Sequence, residues 1–85
     1  MEFYDQLKER LNTHHTWPGS YLFKFVVPEM KREELLGLIP TGLRQERWSK
    51  NGRYVALSIK THMPDADAVI AVYQRVTVVE GLVSL

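Results

Sequence analysis

The sequence predicts an α+β domain: a four-stranded antiparallel sheet with two helices on one face, preceded by a short N-terminal helix. Three observations carry this. Residues 21–27 and 54–60 are rich in aromatic and β-branched side chains and alternate between two faces. Asn51-Gly52 lies between two extended runs, a strong hairpin signal. Stretches opening at Pro28 and Pro64 carry apolar residues at helical spacing.

The elements follow in order. Phe3, Leu7 and Leu11 recur every fourth residue and Tyr4 precedes Leu7 by three, which predicts one apolar stripe on a helix over residues 2–11. Residues 12–20 read as a connector, because Trp17-Pro18-Gly19 cannot continue a helix. In the strand that follows, Tyr21, Phe23, Phe25 and Val27 share one face, and Leu22, Lys24 and Val26 the other. The charge on Lys24 marks the wetter face. A helix opens at Pro28 or Glu29 with acids early, where the helix dipole favours them, and is expected to bury Met30, Leu35, Leu38 and Ile39. Pro40 and Gly42 stop it.

Asn51-Gly52 predicts a two-residue type I′ turn closed by Lys50 and Arg53, since both central positions of that turn need positive φ. Ser49 then faces Tyr54, Trp48 faces Val55 and Arg47 faces Ala56. Val55, Leu57 and Ile59 are expected inward; Tyr54, Ala56, Ser58 and Lys60 outward. Pro64 or Asp65 starts a further helix, whose buried face is Val69, Val72, Tyr73 and Val76. Gly81 ends that segment and residues 82–85 form a short last strand. Helix followed by βαββαβ is the order of a ferredoxin-like fold, with spatial strand order 4-1-3-2. Residues 1–16 hold the N-terminal helix and connector, and residues 17–85 the core of this single domain.

Composition excludes several classes of function. Eighty-five residues make one domain at most, burying ~60–65% of the surface its unfolded chain exposes. With 45% hydrophobic and 25% charged residues the chain is not of disordered type. Cysteine is absent, which removes disulfides, thiolate chemistry and cysteine zinc sites. Met-Glu-Phe-Tyr-Asp-Gln places acids where a signal peptide carries positive charge, and no apolar run is long enough for a bilayer. A cytoplasmic location without membrane contact is therefore expected. Net charge is +1, yet residues 44–60 set Arg44, Arg47, Lys50, Arg53 and Lys60 against Glu46 alone. Residues 64–85 set Asp65, Asp67 and Glu80 against Arg75.

Catalytic constellations are missing. Ser20, Ser49, Ser58 and Ser84 lack a nucleophile motif, and no Gly-rich phosphate loop occurs. Glu29, Glu33, Glu34, Asp65 and Asp67 fit helix starts better than acid–base work. His14, His15 and His62 have no metal-binding spacing. "KNGRYVALSI" partly matches the basic-Gly-aromatic signature of the RNA recognition motif. Arg53 and Val55 stand where aromatics should be, which leaves Tyr54 as a single stacking residue.

"YLFKFVVP", "RWSKNGRYVALSI" and "ADAVIAVYQRVTVVEGLVSL" together resemble the YbeD-like family of small uncharacterised bacterial proteins. The matching positions are Phe23, Lys24, Phe25, Pro28, Ser49, Gly52, Tyr54, Tyr73 and Gly81, across residues 17–85; Trp48 departs from the small residue expected before Ser49. The resemblance implies a ferredoxin-like fold similar to ACT-type regulatory domains, which bind small ligands at domain interfaces and act in pairs. It implies no reaction.

The expected function is thus that of a non-enzymatic regulatory or adaptor domain, with no cofactor and no metal. Its binding residues are expected on the open sheet face: Lys24, Arg47, Tyr54, Ser58 and Lys60, beside the hairpin turn Asn51 and Gly52. The expected occupant is a protein partner, a second copy of the chain, or a small anionic ligand. The alternative is an RNA-binding module using the basic hairpin of residues 44–60, and nucleic acid is the disfavoured partner of the two.

Overall fold

A computed structural model of the chain describes residues 3–85. The elements run α1 (Phe3–His14), β1 (Gly19–Pro28), a 3₁₀ turn (Glu29–Lys31), α2 (Arg32–Leu36), β2 (Leu43–Trp48), β3 (Tyr54–Met63), α3 (Ala66–Val76) and β4 (Val83–Ser84). The expected helix start at Glu2 lies outside the described residues. The four strands form one antiparallel sheet in the order β2-β3-β1-β4, the expected 4-1-3-2 read from the opposite edge.

The two long strands form the centre. β1 pairs with β3 over ten positions, from Gly19↔Met63 to Pro28↔Tyr54. Alternation then sorts their side chains. Phe23, Phe25 and Val27 of β1, with Val55, Leu57 and Ile59 of β3, are buried to within 2% exposure. Each side chain of this kind contributes about 1.5–3 kcal/mol when fully removed from water. α3 supplies Val69, Val72 and Val76 to the same core, α2 supplies Leu35 and α1 supplies Leu11. Helix α1 packs beside α3, where Lys8 meets Asp67 at 3.1 Å. Asp65 caps α3: its carboxylate accepts the Ala68 N–H at 2.8 Å, satisfying one of the first-turn donors that lack an intrahelical partner.

Several expectations need correction. The helix after β1 is a 3₁₀ turn followed by only five α-helical residues, and Met30, expected inside, is 80% exposed. The tight 3₁₀ turn rotates Met30 away from the face that buries Leu35, while Leu38 and Ile39 pack on the core edge. α1 runs through His14 rather than stopping at Leu11, and β1 begins at Gly19, so the connector shortens to residues 15–18. Trp17 in that connector packs against the core and donates its Nε1–H to Asn12 Oδ1 at 3.0 Å.

The hairpin keeps its expected register, Trp48↔Val55 and Arg47↔Ala56, but has a different turn. The Gly52 N–H bonds the Ser49 carbonyl at 2.9 Å, so Lys50 and Asn51 are the central pair, and the closing residues are Ser49 and Tyr54. Within the turn only Gly52 has positive φ, at 73°. Asn51 is spared the left-handed region because its side chain holds the loop instead. Its Oδ1 accepts the Arg53 N–H at 3.0 Å and the Ser49 hydroxyl at 2.9 Å. A two-residue and a four-residue loop share parity about the same pairs, so the register survives. The last strand, expected over residues 82–85, is confined to Val83–Ser84, with the Leu85 N–H bonding the Lys24 carbonyl at 2.9 Å.

Candidate functional site: the open face of the sheet

The alternation that buries Phe23 and Phe25 turns the intervening side chains to the opposite face. Register stacks them in cross-strand rows. Arg47, Ala56, Val26 and Val83 form one row, and Gln45, Ser58 and Lys24 the next, with Leu85 beside Lys24. Leu43, Lys60 and Leu22 form a third. No helix among the described residues covers these rows. A shallow concavity of about 520 Å³ lies over them, with Lys24, Gln45, Arg47, Ser58 and Leu85 in its lining.

All five expected face residues, Lys24, Arg47, Tyr54, Ser58 and Lys60, thus share this surface. Lys24, Arg47 and Ser58 meet in the concavity; Tyr54 stands at one end beside the hairpin turn, 49% exposed, and Lys60 lies in the row beyond. Asn51 and Gly52 lie past Tyr54 in the turn and outside the concavity. Leu43, Gln45, Val83 and Leu85 were not singled out by sequence. The period of two along residues 43–48 carries the signal for the first pair, because Leu43 and Gln45 share the parity of Arg47. No such signal exists for Val83 and Leu85, whose place depends on a pairing of only two residues with β1.

The face holds Lys24, Arg47 and Lys60, and none of its strand residues is Asp or Glu. The acid of the basic stretch sits on the other side. Glu46 pairs across from buried Leu57, which places it on the core face at the sheet edge. There Arg32 of α2 clamps it with two N–H donors, from Nε to Oε1 and from Nη2 to Oε2 at 2.9 Å. Hydrogen bonding to the Arg32 guanidinium holds the Glu46 carboxyl below its ordinary range, and the same contact raises Arg32. Arg44 approaches Glu46 at 3.7 Å on that side too. The positive excess of residues 44–60 is therefore not one patch. Arg44 is spent on the core side, Lys50 and Arg53 project near the turn, and Arg47 and Lys60 face the open side.

Elsewhere the Tyr73 hydroxyl meets the Tyr21 hydroxyl at 2.9 Å, and burial, reinforced by this bond, pushes the Tyr73 phenol above its ordinary range. Among the described residues no group of three His, Cys, Asp or Glu side chains could hold a metal ion. None of their helices is long and apolar enough to cross a membrane. Comparison with protein-family models, with curated proteins and with solved structures found no significant match.

Proposed function

We propose that the chain is a non-enzymatic regulatory or adaptor domain of ferredoxin-like fold, acting in the cytoplasm, which binds through the open face of its sheet. One observation carries this reading. A sheet normally buries both faces or leaves one face polar. Here the uncovered face combines three cations that have no ion pair among the described residues with Leu22, Leu43, Val83 and Leu85, which are 47–77% exposed. Exposed apolar side chains grouped among like charges are a mark of an interaction surface. The βαββαβ order and the strand order support the ferredoxin-like assignment, and the resemblance of the sequence to the YbeD-like family points the same way.

The test is charge reversal on that face. Wild type and the Lys24→Glu, Lys60→Glu double variant are immobilised and compared, both for capture from cell extract and for thermal shift against a panel of anionic metabolites. Partners or ligands held by wild type should be lost by the variant at unchanged fold. Identical profiles would sink the proposal.

The RNA reading draws on Arg47, Lys50, Arg53 and exposed Tyr54 at one end of the sheet. It is the weaker one, because among the described residues the only other aromatic on the open face, His62, lies eight residues along β3 from Tyr54, about 27 Å at the strand rise and too far to stack a neighbouring base. It requires binding to mixed oligonucleotides that weakens steeply as salt rises, and a flat titration at low salt would dismiss it.

A further inference from the structure

We infer that the occupant of the open face is an acidic amphipathic helix of a protein partner, an inference that rests on the binding face proposed above. Three features select it.

The first is charge. The strand residues of the face supply three cations and no carboxylate. Two copies stacked face to face would set six cations against each other with no carboxylate among the described strand residues of either face, and like charges brought together out of water repel strongly. A second copy of this chain is thus a poor occupant, and an acidic surface a good one.

The second is spacing. With strands ~4.8 Å apart and a rise of ~3.4 Å per residue, the register puts the Lys24 and Lys60 backbone positions ~8 Å apart, with Arg47 ~12 Å from Lys24 and ~14 Å from Lys60. Lys24 and Lys60 can converge on one carboxylate; Arg47 requires a second. A partner using the whole face must carry acids separated by two or three helical turns, beyond the span of a single small anion.

The third is the backbone. Between the central strands β1 and β3 the facing main-chain groups are consumed by the ladder over ten paired positions. An extended peptide gains its affinity from main-chain bonds at a sheet edge. A face offers side chains alone, so its occupant must satisfy its own backbone, as a helix does. Between the cations stand the aliphatic Leu22, Val26, Ala56, Val83 and Leu85, a surface suited to the apolar stripe of such a helix. The aromatic side chains of the face, Tyr54 and His62, stand at opposite ends of β3 and give nucleic acid no continuous stacking platform.

The experiment titrates the full chain with four probes, following backbone amide shifts by NMR. The probes are a synthetic helix of ~18 residues, about 27 Å long, built from Leu and Glu; its counterpart with Lys for Glu; an oligouridylate; and citrate. The Leu/Glu helix should shift the amides of Leu22, Lys24, Arg47, Ala56 and Ser58, and the Leu/Lys helix should not. Lys24→Glu with Lys60→Glu should weaken the Leu/Glu helix by about tenfold or more. Lys50→Glu, at the hairpin tip, should leave it within about twofold. Dispersed Phe23 and Phe25 amides verify the fold of each variant.

Absence of binding by the Leu/Glu helix, shifts located elsewhere, or indifference to the double reversal would overturn the inference. If oligouridylate or citrate moves the face amides while the helix does not, the face binds but the partner class is wrong. If no probe moves them, the proposed binding face fails as well.

Discussion

The two faces of the central strands differ in almost everything except their backbone. Phe23, Phe25, Val55 and Leu57 lie on one side, at 0–1% exposure, and are covered by helices. Lys24, Val26, Ala56 and Ser58 alternate with them in the same ladder and face outward. The contrast teaches that a period of two separates the side chains that build the core from those left on the surface. The inward residues set whether the domain folds, and the outward ones are free to be chosen for contact with something else. The largest effect should come from breaking the inward side. Phe25→Ala removes a fully buried ring and should cost about 3–5 kcal/mol. A domain of this length has roughly 4–13 kcal/mol in total. Urea unfolding should show a sharply lowered midpoint, and an unchanged midpoint would mean that the core is not packed as described.

The strand order and the sorting of faces were legible in the sequence, because alternation in residues 21–27 and 54–60 is strict and Phe and Val leave no doubt about which side is dry. What escaped depends on contacts a linear pattern does not encode. Met30 sits in an apolar spacing that fits a helix, yet the local 3₁₀ turn decides its direction. The turn type escaped because the Asn51 side chain can serve the loop either by adopting positive φ or by accepting hydrogen bonds, and the sequence does not choose between them. Of the site, the cations of the face were readable from parity. The separation of Arg44 from Arg47 was readable only in principle, since it requires knowing that Glu46 has Arg32 as a partner from a different element.

Turns sharpen the comparison at the next level of effect. Gly81 has φ of 81°, and a Cβ there would fall 2.8 Å from Pro28 Cγ at the end of β1. Gly52 has φ of 73° but open space around it. The left-handed region alone costs an L-residue about 1–2 kcal/mol. Gly52→Ala should cost about 1 kcal/mol, and Gly81→Ala about 2 or more, because Pro28 must also move. Equal losses in paired denaturation curves would show that Pro28 does not restrain the segment leading into β4.

The Arg32–Glu46 clamp predicts a smaller effect visible as pH dependence. The folded state holds Glu46 below the ordinary carboxylate value of 4.5. For a lowered acid, the unfolded chain binds the proton first as pH falls. The stabilisation is therefore complete above about pH 5.5 and declines from the unfolded value downward, through the folded one. Glu46→Gln should lower stability at neutral pH and flatten that acid limb. Parallel acid limbs in the two proteins would show that the clamp contributes nothing to folding.

The smallest expected effect is the most discriminating, because it concerns the neighbour of the largest. Lys24 adjoins Phe25 in the chain, its side chain has no ion pair among the described residues, and its carbonyl oxygen accepts the Leu85 N–H. Lys24→Ala keeps that carbonyl and removes a solvated chain, so stability should stay within about 0.5 kcal/mol of wild type. A loss above about 1 kcal/mol in urea unfolding would mean that the Lys24 side chain is already engaged in the isolated domain. The open face would then be part of the fold rather than a surface held for a partner. An unchanged midpoint, beside the collapse expected of Phe25→Ala one residue away, would show that the stability of this strand rests on its inward side chains and leaves the outward ones unengaged.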